Sequence, residues 1–554
     1  MRRERGGSIA SSQAYADSNR YGIWVRWTTI ASPGKLGAYM YADAGPPVVS
    51  RRAGALAGIV AGGTALGLTE LVAGLLPGAP SVIVAIGSLV ISLQPPGAKQ
   101  LVVDLVGTAD KLVLNVAVAL VALLVTGLLG IVARRHVGRA KVGFAGIAVL
   151  GLAASLRDPL VDPLLATVSA GIGVGTAIWL LPRLLQLARP DGVAEMPDWG
   201  RRRFLGTSAG LAGLAVVGGA VGRLLLNSRA ESVPVSASIP AAVDPAPTLP
   251  HGVQLDVPGI SPVTTPNRSF YRIDTSLLTP HVDAASWKLS FTGMVDHPFD
   301  ITYAELLAMP LYEQYVTIAC VSNEVGGNLV GNALWRGVRL RELLDRAGVQ
   351  AGASQVVGRS VDGWTAGFPT SWLDKPGREA LVVVAMNGDP LPAEHGYPAR
   401  LIVPGLYGYV SATKWLTEIE LTTLRAFDAY WVPLGWAKEA PILTQSRIDV
   451  PRNGDQLLAG QIAIAGVAWA PDRGISRVEV QVDDLPWAEA ERSIPISDAT
   501  WVEWLHRWNA TAGQHTIQVR ATDGTGELQA ANRTRPAPDG ARGYHAITVT
   551  VGGG

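Results

Sequence analysis

Two patterns of apolar residues divide the chain. From about residue 52 to 226, Gly, Ala, Leu and Val stretches alternate with short charged loops, and after residue 230 Pro, Trp, Asp and Arg return. A bilayer crossing needs roughly 20 apolar residues. Stretches of about that length lie at 54–77, 112–133, 141–157, 161–181 and 205–226. The pattern therefore predicts a membrane domain over residues 51–229 with five crossings.

A sixth apolar stretch, residues 81–97, is shorter and ends in Pro-Pro. We interpret it as re-entrant or interfacial, because its length and its prolines argue against a full crossing. With five crossings, the basic loops at 50–54, 134–141 and 183–204 share one side of the membrane. Lys and Arg concentrate on the cytoplasmic side. The sequence thus predicts a multi-pass protein of the cytoplasmic membrane with everything after residue 226 outside.

The last basic cluster holds Arg201, Arg202, Phe204 and Leu205, followed by a weakly hydrophobic Gly/Ala helix. This arrangement looks like a twin-arginine signal, which exports domains that have already folded. The alternative is a plain positive-inside anchor for the last helix.

The two segments that flank the membrane domain differ from it in composition. Residues 1–50 are polar and lack helical periodicity, so they are expected to form a disordered leader. Residues 230–250 are rich in proline, which predicts an extended linker.

The remaining chain carries two further patterns. Residues 251–435 mix short strands with helical pieces at 302–310 and 339–348, the second placing Leu340, Leu343 and Leu344 on one face, which predicts an α+β domain. Residues 436–554 instead show apolar and polar residues in alternation, as at 477–483 and 516–521. This period of two predicts an immunoglobulin-like β-sandwich.

Composition adds limits to this picture. The chain has 48% hydrophobic and 16% charged residues and a formal net charge of +1. This charge balance leaves no excess of basic residues, so it does not favour nucleic acid as a partner. A single cysteine excludes an internal disulfide framework and any CxxC metal motif.

That cysteine, Cys320, follows an apolar strand-like run and precedes the polar segment SNEVGG. A lone buried cysteine is often a small apolar core residue. At a strand end, however, a thiolate can be exposed and act as a soft metal ligand. The residues alone leave both interpretations open.

Five sequence blocks then point to a family. They are TPNRSFYRID (265–274), the segment around Cys320 (316–344), SVDGWTAGFP (360–369), the block MNGDPLPAEHGYPARLIVPGLYGYVSATKWLTEIEL (386–421) and the terminal sandwich. In this order they resemble the sulfite oxidase family of molybdopterin enzymes over residues 251–553. The resemblance implies an oxidoreductase with a molybdenum–molybdopterin cofactor.

The resemblance also implies roles for individual residues. Cys320 would bind the metal, and Cys320 and Arg272 would be catalytic. The implied cofactor-binding residues are Asn267, Tyr271, Arg272, Ser360, His395, Arg400, Ala412, Thr413 and Lys414. Arg272 could instead be a surface ion-pair partner, and His395 a structural hydrogen-bonding residue.

The sequence departs from the sulfite-oxidising members at three places. Those members have R-N-H where this chain has Arg272, Ile273 and Asp274. They place arginines after the ligand cysteine, where this chain has Asn323, Glu324 and Val325. Trp436 stands near the position of their active-site tyrosine. A doubly charged oxyanion favours a positive pocket, so these departures argue against sulfite and make a less charged sulfur or nitrogen oxide, in either redox direction, at least as plausible a substrate.

Two hypotheses follow from the sequence. The first is a membrane-anchored molybdenum oxidoreductase that acts on a small oxyanion or oxide and exchanges electrons with a separate carrier or membrane redox partner. The second is a cofactor-free binding or assembly module of the same fold. In both, membrane lipid surrounds the helices, and the β-sandwich is expected to mediate a homodimer.

Overall fold

The computed structural model describes residues 24–25, 42–43, 49–94, 110–189, 199–231, 238–375 and 379–553. Most of the leader expected over residues 1–50 lies outside them, as do part of the linker over 230–250 and the end of the 81–97 stretch. Within the leader, two short strands, β1 (Trp24–Val25) and β2 (Ala42–Asp43), pair in antiparallel fashion.

The described residues of the apolar region form six helices. They are α1 (Arg51–Leu75), α2 (Val82–Leu93), α3 (Asp110–Ala133), α4 (Val137–Ser155), α5 (Pro163–Leu187) and α6 (Trp199–Glu231). In the described part of the chain, all except α2 are long and apolar enough to cross a membrane, which confirms five such helices. Helix α2 has 12 residues and is therefore about 18 Å long, too short for a crossing.

The chain forms two compact units. One comprises Met1–Val72, Val116–Ala153 and Thr167–Gly222, and the other Ala73–Asn115, Ala154–Ala166 and Arg223–Gly554. The second unit therefore contains α2, the start of α3 and the loop between α4 and α5, together with the α+β and β-sandwich regions. The units cut across the membrane helices, so the domain boundaries at 229, 250 and 435 stay predictions.

Within the first unit, glycines on α1 permit a close approach to α3. A Cβ atom on Gly58 would lie 2.1 Å from the Thr126 carbonyl oxygen, and one on Gly130 would lie 2.1 Å from that of Gly54. Gly62 similarly faces the Thr126 side chain at 2.5 Å. Small residues four positions apart are the usual means of bringing membrane helices into backbone contact.

The second unit contains the α+β region. Its strands are β3 (Lys288–Gly293), β4 (Phe299–Thr302), β5 (Tyr312–Ala319), β6 (Val330–Arg339), β7 (Gln355–Ser360), β8 (Thr365–Pro369), β9 (Leu381–Met386), β10 (Asp389–Pro390), β11 (Arg400–Ile402) and β12 (Leu416–Thr422). One sheet has the order β10-β9-β6-β5, with β11 also paired to β9, and the other has the order β4-β3-β12-β7-β8. A shared core of buried side chains joins residues from both sheets.

Three helices and three 3₁₀ turns connect these strands. They are α7 (Tyr303–Ala308), α8 (Leu340–Ala347) and α9 (Gly408–Ser411), with turns at Asn267–Ser269, Thr370–Asp374 and Ala393–His395. The leucines of α8 that the sequence places on one face, Leu340, Leu343 and Leu344, are all buried. Helix α7 begins at a capping box formed by Thr302 and Glu305. Both helices confirm the sequence prediction.

The last region is made of strands. They are β13 (Gln445–Val450), β14 (Gln456–Leu458), β15 (Gly460–Trp469), β16 (Ile475–Val482), β17 (Ala488–Glu489), β18 (Glu491–Arg492), β19 (Val502–Ala510), β20 (Gly513–Asp523) and β21 (His545–Gly552). They form two sheets, β13-β15-β19-β18 and β14-β21-β20-β16-β17, around one core. The alternating valines of β16 point into that core. Glu479 is buried as well, and its carboxylate forms an ion pair with Arg520 at 2.9 Å. The immunoglobulin-like assignment stays a prediction.

The close contact between α1 and α3 can be tested by enlarging one glycine. We expect Gly58→Leu to lower the melting temperature of the detergent-solubilised protein by several degrees, because its side chain has no space against Thr126. Overpacking of this kind costs about 1–3 kcal/mol. Thermal unfolding followed by far-UV circular dichroism measures the change.

Gly146→Leu is the matched control, since a Cβ atom on Gly146 of α4 meets nothing within 4 Å. An equal loss of stability in the two variants would contradict the contact between α1 and α3.

Candidate functional site

Cys320 lies at the edge of a sheet, directly after β5. Ala319 at the end of β5 pairs with Val330 at the start of β6, so residues 320–329 form the connecting loop. The loop is held from within, because the Cys320 N–H donates to the Leu329 carbonyl at 2.9 Å and Asn323 Oδ1 accepts from the Leu329 N–H at 2.8 Å. The thiol is thereby fixed at a strand end, as the sequence predicts, with 8% of the residue exposed.

A second loop system carries the HGYPAR (395–400) and TKW (413–415) segments of this chain to the same place. Gly396 has φ = +114°, and a Cβ atom there would lie 3.0 Å from Lys414 Cα and 3.1 Å from Arg400 Cβ. Only glycine combines this conformation with so close an approach. Trp415 anchors the other side, because its indole N–H donates to the Ala393 carbonyl at 2.8 Å.

The pairing of strands adds Ser360 to this group. Leu416, the first residue of β12, lies opposite Ser360 at the end of β7. Lys414 and Ser360, far apart in sequence, are therefore brought to the same sheet edge.

These loops enclose a cavity of about 700 Å³. Most of the residues implied by the family resemblance line it, namely Tyr271, Arg272, Cys320, Ser360, Arg400, Ala412 and Lys414. Trp436, Trp431 and Tyr409 close another part of the wall. Residues that are spread over more than 140 positions of the sequence therefore line one cavity.

Three of the implied residues lie behind the cavity wall. Asn267 donates to the Met386 carbonyl at 3.2 Å, and the His395 ring bonds through Nε2 to the Asn267 carbonyl at 3.0 Å. Thr413 is fully buried. For these residues direct contact with a cofactor stays a prediction, and the bonds they make support the residues in front of them.

Asp274 is the electrostatic centre of the cavity. Its carboxylate contacts Lys111 Nζ at 2.6 Å, Lys414 Nζ at 3.1 Å and Arg272 Nε at 3.2 Å. Burial opposes its ionisation, but Lys414, Lys111 and Arg272 outweigh burial and hold the pKa of Asp274 well below its usual range. Arg272 therefore lines the cavity and forms an ion pair at the same time, and its catalytic and cofactor-binding roles stay predictions.

Lys111 is the residue that sequence reasoning missed. It is the second residue of α3, where a lysine is ordinarily taken as an anchor at the membrane interface. Instead it reaches Asp274 and also donates to the Ser276 carbonyl at 2.8 Å. The only sequence signal is its position beside Asp110 at the start of an apolar stretch.

Burial sets the protonation states of the other groups. It lowers the pKa of Arg400 to about 10 and that of Lys414 to about 8, so both are cations at neutral pH. Burial and the neighbouring Lys414 lower the pKa of His395 to about 4, which leaves its ring neutral. Burial, helped by Cys320, raises the pKa of Tyr271, whose phenol stays protonated and can donate a hydrogen bond.

The donor set fits a molybdenum cofactor. Cys320 supplies the soft sulfur that a thiolate-binding metal prefers. At another part of the wall, the buried Nε–H of Arg400 has no hydrogen-bond partner among the described residues. A buried guanidinium left in this state favours an anionic ligand such as a phosphate tail, and Lys414 stands beside it as a second cation.

Comparisons with known proteins agree with this site. The family model described as oxidoreductase molybdopterin binding domain matches residues 276–431. The uncharacterized oxidoreductase YuiH of Bacillus subtilis (strain 168) is 36% identical over 166 residues, which cover 30% of this chain and 79% of YuiH. The mitochondrial sulfite oxidase of Homo sapiens is 28% identical over 302 residues, covering 46% of this chain and 55% of that enzyme.

Among solved structures, the sulfane dehydrogenase SoxCD of Paracoccus pantotrophus aligns with a TM-score of 0.45 and 22% identity, covering 58% of this chain and 97% of that one. The chain spans only about half the length of the human enzyme.

Three findings agree with one another. They are the match to most of YuiH, the match to the molybdopterin-binding family model and the donor set of the cavity, and they argue against the cofactor-free module. The chain belongs to the sulfite oxidase family and is a molybdopterin-dependent oxidoreductase whose cofactor is molybdenum–molybdopterin.

Proposed function

We propose that this oxidoreductase is anchored in the cytoplasmic membrane and transfers an oxygen atom and two electrons to or from a small sulfur or nitrogen oxide outside the cell membrane. The observation that carries the proposal is the single cavity that holds Cys320 together with Arg400 and Lys414. One group can bind a metal and the other two can bind an anionic tail.

The residues of the cavity then have separate tasks. Molybdenum–molybdopterin supplies the two-electron oxygen-transfer chemistry when bound. Cys320 is the protein ligand to the metal, and Arg400 and Lys414 hold the phosphate end. Asp274 keeps Lys414 directed into the cavity through their 3.1 Å contact, and the protonated phenol of Tyr271 donates a hydrogen bond within it.

The charge of the cavity bears on the substrate. Among the described lining residues, Lys111, Arg272, Arg400 and Lys414 are cationic, and Asp274, Glu324 and Asp362 are acidic. Three of the four cations already contact Asp274. Once Arg400 and Lys414 also hold an anionic tail, little positive charge is left for a dianion. This favours a substrate with less negative charge than sulfite.

The placement outside the membrane rests on the distribution of basic residues. With the five helices as crossings, the basic loops share the cytoplasmic face, and the catalytic region lies on the other side. Arg201 and Arg202 lie exposed in the first turn of α6, where a twin-arginine receptor can reach them. Membrane lipid, a redox partner and a homodimer formed through the β-sandwich complete the proposed set of partners.

Metal content is the first test. We expect protein purified from a host that makes the cofactor to contain about one molybdenum per chain, since the donor set is intact. Cys320→Ser should abolish turnover and lower the molybdenum content, yet retain much of the pterin because Arg400 and Lys414 bind its other end. Metal analysis and pterin fluorescence after denaturation measure both quantities.

Zinc or no metal in the parent protein would contradict the enzyme assignment of this site. Full turnover in Cys320→Ser would contradict the ligand assignment alone.

Charge in the cavity is tested by Glu324→Gln. Glu324 is exposed at the cavity wall, so removing its charge should raise kcat/KM for sulfite by about two- to threefold at low salt, as expected for a screened surface charge. The kcat/KM for a neutral sulfoxide should not change. Steady-state assays with ferricyanide as oxidant or a reduced viologen as reductant measure the two values.

Glu527→Gln serves as the control, because Glu527 is exposed and does not belong to the cavity lining. An equal change for the charged and the neutral substrate would show that Glu324 does not act through local charge.

Export is tested by replacing Arg201 and Arg202 with Lys. Lysine keeps the positive charge and removes only receptor recognition. The first four crossings should still insert, while residues 230–554 should stay in the cytoplasm. Protease added to spheroplasts should then spare the catalytic region of the variant and digest that of the parent. Equal digestion would favour the plain positive-inside anchor.

A further inference from the structure

A second cavity adjoins the cofactor cavity within the same compact unit. It has a volume of about 420 Å³ and is bordered by Val84, Leu89 and Ile91 of α2, Leu226 of α6, and Leu277 and Trp364 of the catalytic region. Sites for small organic molecules are typically concave and mostly apolar, with volumes of about 300–1,000 Å³. The cavity has the size and the wall chemistry of such a site.

The two cavities share part of their walls. Thr275, Leu277, Asp362 and Trp364 border both. A molecule in the second cavity would therefore be separated from the cofactor cavity by single side chains.

The catalytic region is packed directly against α2 at this point. A Cβ atom on Gly87 would lie 2.7 Å from Leu277 Cδ1, so the helix and the segment 275–281 touch without intervening atoms. The sequence of α2, VIVAIGSLVISL, contains no charged residue. Its outer side exposes Val90 and Leu93, with exposed fractions of 47% and 70%. An exposed apolar surface of this kind is typical of contact with a membrane.

The wall also holds charged and titratable groups, namely Arg157, Asp158, Arg229, His281 and Asp362. Asp158, in the loop between α4 and α5, lies close enough to Asp362 for their charges to interact. Burial and the charge of Asp274 raise the pKa of Asp362, although the Trp364 N–H donates to it at 3.1 Å. Carboxylates in such surroundings can take up and release protons. The Tyr430 phenol also borders the cavity.

We propose that the second cavity binds a membrane-dissolved quinone, which exchanges two electrons with the molybdenum site, and that Asp158 and Asp362 exchange protons with the quinone oxygens. This inference rests on the proposed function and names its redox partner. For a substrate X the overall step is X + H₂O + quinone → XO + quinol. Water supplies the oxygen atom, X loses two electrons, and the quinone gains these electrons and two protons. The reverse reaction balances with quinol as the reductant.

Photolabelling tests binding without using activity. A photoreactive decylbenzoquinone should label α2, residues 275–281 or residues 362–364 of the full-length protein in detergent, as mapped by mass spectrometry. Excess decylubiquinone should suppress the label. Labelling elsewhere only, or suppression by phosphatidylglycerol vesicles but not by decylubiquinone, would overturn the proposal and make the cavity a lipid site.

A pair of tryptophan variants tests the function of the cavity. Leu89→Trp should fill it and lower the ratio of quinone-coupled to ferricyanide-coupled turnover by at least about tenfold, equivalent to about 1.4 kcal/mol. Val90→Trp, on the neighbouring face of α2 and outside the lining, should leave this ratio unchanged. An unchanged ratio in Leu89→Trp would overturn the proposal.

The two proposals fail in different ways. A preparation without molybdenum, or without ferricyanide-coupled turnover of any oxide, would refute the proposed function, while the photolabel would still decide whether the cavity binds quinone. Normal ferricyanide-coupled turnover without quinone labelling would refute the quinone site alone.

Discussion

The ion cluster around Asp274 joins the parts of the catalytic unit. One buried carboxylate contacts Lys111 from the start of α3, Arg272 from the segment that follows Tyr271, and Lys414 from the loop before β12. Taking these charges out of water costs free energy that their attraction only partly recovers. The cluster is therefore better understood as a device for positioning than as a source of stability. Removing one partner of a buried ion pair costs about 3–5 kcal/mol, and this cost applies to Asp274 and Lys414, because the side chains of Lys111 and Arg272 are 33% and 41% exposed.

Positioning matters because Lys414 has two competing environments. Burial favours its neutral form and lowers its pKa to about 8, whereas the charge of Asp274 favours the ammonium. With Asp274 ionised, a cation stands beside Arg400 at the place where an anionic tail is expected to bind. Among the residues that the structure describes, Arg400 has no acidic partner of this kind, and it instead donates to the His395 carbonyl at 3.0 Å. The Nε–H of Arg400 takes no part in this bond and is thus available to a ligand.

Sequence reasoning succeeded where the signal is local. The apolar stretches predicted five long helices, the face of Leu340, Leu343 and Leu344 predicted α8, and alternation predicted the strands of the C-terminal region. The position of Cys320 at a strand end was also readable, because β5 is a continuous run ending in a polar loop. The family blocks named the residues that line the cavity. They did not separate Tyr271 and Arg400, which line it, from Asn267, His395 and Thr413, which lie behind it, since side-chain direction depends on the packing of both sheets.

The contacts that the sequence could not predict are the long-range ones between the membrane helices and the catalytic region. Lys111 and Asp274 are 163 residues apart, and no local sequence pattern around either residue predicts its partner. The same holds for Gly87 and Leu277, and for His281, whose ring contacts the Arg229 carbonyl at 3.1 Å. All three contacts fall on the segment 274–281, whose residues Asp274, Thr275 and Leu277 line the cofactor cavity.

These contacts are more extensive than anchoring in a membrane would require. A simple anchor requires only a linker between the last helix and the catalytic region. Here a single segment of eight residues, 274–281, contacts the start of α3, the middle of α2 and the end of α6, and its first residue also contacts Lys414. A displacement of these helices would therefore move Lys414, which we propose to hold the cofactor tail. The packing thus connects α2, α3 and α6 to residues that line the cofactor cavity, and the redox partner that we propose to arrive through the lipid would use this connection.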